Sequence, residues 1–294
     1  MLHAQAVSIF FAILYTFSMA AINVAIKLCS LSTFSIMFAR YNIALLISLP
    51  IIYFLIPRKC SIYLHLLRGG FLFAGHYCVY QGFKHANFLT GTLMSMTEPL
   101  VVILISYIVF KRKHTFIDLF YLAIGFTGAT LLIFATPAAQ GKVEIIGIMY
   151  LLLSNFIAAA GVFICKEISD KEHWSVTVFY TTSILWCFGW LIFPYTNYTS
   201  IISNSITITR DFYLLLIIGV LAFTTHYTIA RSLAVMKPEV FASFQYLRLV
   251  FGLIFSLILL NQYPNYIQII GATLIVFGIY MLQQSRLKQL LIKQ

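Results

Sequence analysis

The chain has 294 residues, of which 61% are hydrophobic and only 9% charged, with a mean hydropathy of +0.95, whereas soluble domains carry roughly 25% charged residues. No soluble core absorbs that much apolar surface, so the composition excludes a soluble globular protein. A net charge of +11 would suit a nucleic-acid partner, but the basic residues follow the connections between apolar runs, which excludes that partner class and points to membrane topology instead.

Apolar runs are expected at 5–28, 33–56, 65–84, 88–110, 116–136, 143–165, 174–194, 211–233, 238–260 and 264–284. Each is close to the ~20 residues that a helix rising ~1.5 Å per residue needs to cross a ~30 Å hydrocarbon core. The runs are continuous and show no alternation of polar and apolar residues, so helices are expected and not a barrel. The fold class is therefore an all-α polytopic membrane protein with ten transmembrane helices. The first run starts near Met1 without a basic leader and is read as a retained helix.

In chain order, the first helix carries Tyr15 and Asn23. The second carries Arg40, about seven residues in, where its side chain either snorkels to the outer interface or faces a cavity. The third holds His76, Tyr77 and Tyr80, and the fourth holds Ser95, Glu98 and Pro99. Pro99 lacks an N–H, so it leaves the Ser95 carbonyl without its helical donor and opens a polar notch beside a carboxylate, or simply a packing kink. The fifth helix carries Gly125 and Gly128 and the tenth Gly271 and Ala272. These small-residue faces either brace the bundle or form a homodimer contact. Asn155 lies on the sixth helix, His226 and Arg231 on the eighth, and Gln245, Tyr246 and Arg248 on the ninth. Arg231, at the end of its helix, is expected to anchor at the inner surface.

Basic residues fall unevenly on the two sides. With the N-terminus in the cytoplasm, the inner connections and tail hold Arg58, Lys59, Arg68, Lys111, Arg112, Lys113, Lys166, Lys171, Lys237, Arg286, Lys288 and Lys293, against Lys27, Lys84, Lys142 and Arg210 outside. That bias predicts that both termini are cytoplasmic, and the two basic clusters are also suited to anionic lipid. Cys29, Cys60, Cys78, Cys165 and Cys187 are scattered without a Cys-x-x-Cys pair and read as core residues. Asn197-Tyr198-Thr199 matches a glycosylation triplet in an outer loop. There is no nucleotide loop, His-Glu-x-x-His, Gly-x-Ser-x-Gly or acidic cluster, so no cofactor, metal or catalytic residue is expected.

Adding 150 to the numbering lays 69–131 onto 219–281 without a gap and pairs His76-Tyr77 with His226-Tyr227, Ser106 with Ser256 and Gly128 with Gly278. Residues 1–138 and 139–294 then form two five-helix repeats, which an odd helix count forces into opposite orientations, the plan that puts a transport site at the midplane between repeats. The same offset pairs Glu98 with Arg248. Each lies ten residues into its helix, ~15 Å deep. Buried charge in a membrane is costly and by default marks function. Two readings stand: the charges flank a cavity and bind ionic groups of a small-molecule substrate with Ser95 and Gln245, or they form a structural ion pair. His76, His226, Tyr15, Tyr77, Asn23 and Asn155 are the further candidates for lining such a site, each with helix packing as its alternative.

Ten helices in two halves, Met96-Thr-Glu98-Pro99-Leu100 in helix four and Gly271-Ala-Thr-Leu-Ile-Val-Phe-Gly278 in helix ten resemble the EamA-like branch of the drug/metabolite transporter superfamily. The resemblance covers essentially the whole chain. It implies a bacterial inner membrane, cytoplasmic termini, and alternating access of a central cavity to small organic metabolites, often amino-acid-like. The family often has a Glu just after helices four and nine, where this chain has Arg112 and Gln262. Ala242-Ser-Phe-Gln-Tyr246-Leu-Arg248 and Leu260-Asn-Gln-Tyr-Pro264 are similar to the ninth-helix region of S-adenosylmethionine uptake carriers, which tend to have an acidic residue where Arg248 stands. A zwitterion satisfies both Glu98 and Arg248; S-adenosylmethionine is the specific alternative. A membrane-embedded enzyme and a lipid-moving or regulatory bundle are the competing classes.

Overall fold

The computed structural model describes residues 2–54, 60–109, 116–134, 141–195 and 205–292. Arg58, Lys59, Lys111, Arg112, Lys113, Lys293 and the Asn197-Tyr198-Thr199 triplet lie outside the described residues. Within them the fold is all helical: α1 (Leu2–Leu28), α2 (Thr33–Ser48), α3 (Ile62–His85), α4 (Phe88–Ser95), α5 (Glu98–Ile108), α6 (Phe116–Phe134), α7 (Gly141–Lys171), α8 (Trp174–Ile192), α9 (Ser205–Leu233), α10 (Pro238–Phe244), α11 (Leu247–Leu260) and α12 (Tyr266–Ile292). Short 3-10 turns, Leu49–Phe54 and Phe193–Tyr195, extend α2 and α8.

Among the described residues, seven segments are long and apolar enough to cross a membrane: Ala6–Leu28, Thr33–Ile51, Phe88–Ile108, Ile145–Lys171, Trp174–Ile192, Thr209–Leu233 and Val240–Leu260. The protein is an all-helical membrane protein. Of the other expected spans, α3 departs most from plain apolar character, because it carries His65, Arg68, His76, Gln81 and Lys84 in its 24 residues. Side chains such as Phe10, Leu46, Phe120 and Ile258 point outward, as lipid-facing positions of a bundle do.

Helix ends follow local chemistry. Ser32 accepts from the Ser35 N–H and Asn87 from the Leu89 N–H, so α2 and α4 each start on a side-chain cap. Asn261 ends α11 in the left-handed conformation, φ 50° and ψ 37°, which Asn tolerates better than most residues. Gln262 Oε1 then accepts from the Leu89 N–H at 3.2 Å and helps cap α4 from the other half of the chain.

Packing exchanges elements between the two halves. α3 lies on α7 as α1 lies on α9, α3 lies on α8 as α2 lies on α9, and α6 lies on α12. α7 flanks α4 and α5, and α1 flanks α11. Glycines permit these approaches. A Cβ on Gly69 would overlap Ile184, and one on its offset partner Gly219 would overlap Ile43. A Cβ on Gly128 would come within 2.6 Å of the Gly271 carbonyl, and one on Gly278 within 2.7 Å of the Tyr121 carbonyl. The small-residue faces of α6 and α12 are therefore consumed within one chain, bracing the bundle.

Candidate functional site

Two spans are broken. Phe88–Ile108 is interrupted at Met96-Thr97, immediately before Glu98, and Val240–Leu260 at Gln245-Tyr246, two residues before Arg248. The first break follows from Pro99 at the start of α5, which cannot donate to the Ser95 carbonyl. Arg248 supplies the missing donor. Its Nη2 donates to the Ser95 carbonyl at 2.8 Å and to Glu98 Oε2 at 2.9 Å, with both side chains 4% exposed. The two charges that share a depth in the sequence are thus in direct contact, each occupying the other, and neither faces an open cavity.

Electrostatics favour this arrangement. A carboxylate in the first turn of α5 sits at the positive end of that helix, and a guanidinium on the last carbonyl of α4 sits at the negative end of another. Arg248 itself stands in the first turn of α11, an unfavourable place for a cation, and Glu98 offsets it. Asn155, from α7, completes the first break: its Nδ2 donates to the Met94 carbonyl at 3.0 Å and to Thr97 Oγ1 at 2.6 Å, and Thr97 Oγ1 donates in turn to Met94 O at 2.9 Å. The Ser95 hydroxyl bonds back to Gly91 O at 3.0 Å, so this residue contributes its carbonyl and not its side chain.

The second break is not completed in that way. Among the described residues, fully buried Gln245 has neither amide atom hydrogen-bonded, and Tyr246 Oη, Arg248 Nε and Asn23 Oδ1 on α1 are also buried without a partner. Buried polar atoms are nearly always paired, and four groups without a partner among the described residues lie on the elements around this break.

A model of the EamA-like transporter family matches the chain twice, over residues 6–134 and 145–283. The chain belongs to the EamA-like transporter family. It is an integral multi-pass membrane protein that moves small molecules, and it is not an enzyme. Among solved structures, one titled simply a crystal structure of a protein aligns with 97% of this chain and 98% of its own at 14% identity and a TM-score of 0.66, which shows a shared fold. A search of curated proteins gives no match.

The remaining candidates of this EamA-like transporter fall in three places. Tyr15 on α1 is buried against Phe241 of α10, ring centroids 5.0 Å apart, beside the second break. His76 and His226 meet across α3 and α9 with ring centroids 6.2 Å apart, and Tyr41 Oη lies 3.2 Å from His76 Nδ1. Tyr77 is apart from both groups, stacked on Phe34 at 5.6 Å and edge-on to Tyr150 at 6.1 Å. Arg40 does not snorkel: it is 2% exposed and donates to Tyr80 Oη at 2.7 Å. Arg68, counted by sequence as an inner-surface charge, is 1% exposed and donates to Thr181 Oγ1 at 2.8 Å. Arg231 packs its guanidinium on Phe11 and Trp174, at 5.4 and 5.5 Å.

His65 and Glu172 form a further buried pair at 2.7 Å that sequence reasoning passed over. Among the described residues no three His, Cys, Asp or Glu form a set that would hold a metal. An apolar cavity of ≈ 480 Å³ lies between α4, α11 and α12, lined by Leu93, Leu249, Leu253 and Phe277 among others. It contains neither charge of the central pair.

Proposed function

We propose that the protein is a secondary carrier that moves a small organic metabolite by alternating access between two inverted five-helix repeats, 1–138 and 139–294, with both termini on the cytoplasmic side of a bacterial inner membrane. The observation that carries this reading is the pair of offset-related helix breaks joined by Glu98 and Arg248. Discontinuous helices with opposed termini are how membrane carriers expose backbone and charge to a substrate at mid-depth. Exchange of packing partners between the halves supports the repeat, and the basic bias of the connections supports the orientation.

The cargo that fits the pair is amino-acid-like. A carboxylate competes with Glu98 for Arg248, an ammonium competes with Arg248 for Glu98, and insertion of both leaves the interior charge unchanged. Gln245, Tyr246 and Asn23 supply the unused donors and acceptors beside it. S-adenosylmethionine carries two positive groups and one carboxylate, and Glu98, already held by Arg248, is a poor match for them. Annular lipid is the expected surrounding. A homodimer would need a face other than the small-residue faces of α6 and α12, which are occupied by each other.

Reconstituted liposomes test the carrier reading with a labelled panel of neutral and charged amino acids, S-adenosylmethionine and a nucleotide sugar, with and without a pH gradient. Saturable uptake of one class, lost in a folded Glu98→Gln variant, is expected. Saturable uptake unchanged in Glu98→Gln and Arg248→Met would remove the pair from the site.

A further inference from the structure

Glu98 and Arg248 cancel, but Arg40 and Arg68 do not. Each is almost fully buried, and each makes a single hydrogen bond to a neutral hydroxyl, Tyr80 for Arg40 and Thr181 for Arg68. Neither pairs with a carboxylate among the described residues, and the Nε of each is buried without a partner. A guanidinium has five N–H donors in a planar fork suited to carboxylate and phosphate, and most of those donors remain unused.

The two arginines belong to one continuous feature. His65, Arg68, His76 and Tyr80 follow at spacings of three, eight and four residues, which places them on one face of α3. From Arg68 to Tyr80 that face rises ~18 Å, more than half of a ~30 Å hydrocarbon core. Facing it are Arg40 and Tyr41 from α2, Thr181 from α8 and His226 from α9. The carboxylate at this seam, Glu172, sits at its His65 end and is engaged by His65 Nε2 and the Ser61 N–H, both at 2.7 Å. Among the described residues the seam thus holds two full positive charges, toward opposite ends of one helix face, against the single carboxylate of Glu172, which touches neither guanidinium. Buried charges are ordinarily paired, and the hydroxyls of Tyr80 and Thr181 orient the guanidiniums without neutralising them.

We propose that this α3 seam binds the anionic group of the cargo, so that the transported metabolite is a small organic anion of net negative charge, with a carboxylate or phosphate passed between Arg40 and Arg68. This rests on the carrier reading and, within it, favours over a neutral zwitterion a cargo with an added negative group: an acidic amino acid, a dicarboxylate or a phosphate ester.

The test is uptake into proteoliposomes of labelled glutamate, succinate and glycerol 3-phosphate beside leucine and S-adenosylmethionine, with wild type, Arg40→Gln and Arg68→Gln. The expected result is saturable uptake of at least one of the three anions, with leucine transported about tenfold less efficiently, and a loss of that preference by about tenfold or more in either variant, the effect of removing one charge-assisted contact. The succinate and glycerol 3-phosphate arms separate carboxylate from phosphate. Should a Gln variant not fold, Arg68→Lys keeps the charge but not the planar fork, and a raised KM for the anion with a smaller preference over leucine is expected. Leucine transported as well as the anions, or an anion preference intact in both Gln variants, overturns this proposal while leaving the carrier reading standing. Folded protein that moves none of the five solutes overturns both.

Discussion

A double-mutant cycle on Glu98 and Arg248 separates a true buried pair from two charges that merely share a depth. At 2.9 Å and an effective dielectric of about 20, the attraction is about 5–6 kcal/mol, from which the desolvation of both ions is subtracted. Removing one partner leaves the other buried and uncompensated. Arg248→Met also leaves the Ser95 carbonyl without a donor, because Pro99 cannot provide one. Each single variant, Glu98→Gln or Arg248→Met, is expected to lose about 3–5 kcal/mol of stability. The double variant is expected to lose only about 1–3 kcal/mol, the cost of the open Ser95 carbonyl. The coupling is then at least ~3 kcal/mol, above the usual range for neighbouring residues. Unfolding by SDS in mixed micelles, followed through the fluorescence of Trp174, Trp186 and Trp190 on α8, measures all four corners. Single effects that add to within about 0.5 kcal/mol would refute direct pairing in the folded protein.

Other substitutions test the surroundings of the pair. Gln245→Leu removes a fully buried amide with no partner and is expected to stabilise the protein by about 1–3 kcal/mol while abolishing uptake; loss of stability in the same unfolding assay would show that the amide is satisfied in the folded state. Asn155→Leu withdraws the side chain that spans Met94 and Thr97 and is expected to cost about 1–3 kcal/mol, read as an earlier SDS midpoint. Gly128→Val forces side-chain carbon against the Gly271 carbonyl and Leu274 and is expected to cost about 1–3 kcal/mol or more by overpacking, with protein yield and melting temperature as the readouts.

The helices and the level of the charged pair were legible in the sequence because both depend on counting along the chain. Residue number fixes depth at ~1.5 Å per residue, so the 150-residue offset put Glu98 and Arg248 at one height before any contact was known. Azimuth is different: which face of a helix turns inward is set by its neighbours. Arg68 lies only six residues past the start of α3 and was counted with the loop charges for that reason, and its burial follows from α8, whose Thr181 meets it. The spacing of His65, Arg68, His76 and Tyr80 was the available signal, since residues so spaced share one face whatever that face packs against. For Arg40 the sequence allows either snorkelling outward or facing a cavity, and Tyr80 holds it inward.

The two breaks show the same limit from another side. Pro99 announced the first, whereas nothing local to Gln245-Tyr246 announced the second, which is legible only through the offset. Backbone symmetry carried both breaks to equivalent places, yet their polar groups meet different fates. One break is closed by Asn155 and Arg248; the other leaves Gln245, Tyr246 and Asn23 without partners. A carrier whose two breaks were equally satisfied would gain stability and have little left to offer a substrate. Keeping the unsatisfied groups around one break, and the excess positive charge on the facing sides of α2 and α3, concentrates the cost of folding where bound cargo can offset it. A neutral Leu at position 245 is therefore expected to improve the fold and end the transport, and it is this opposition between the two readouts that distinguishes a binding site from a packing defect.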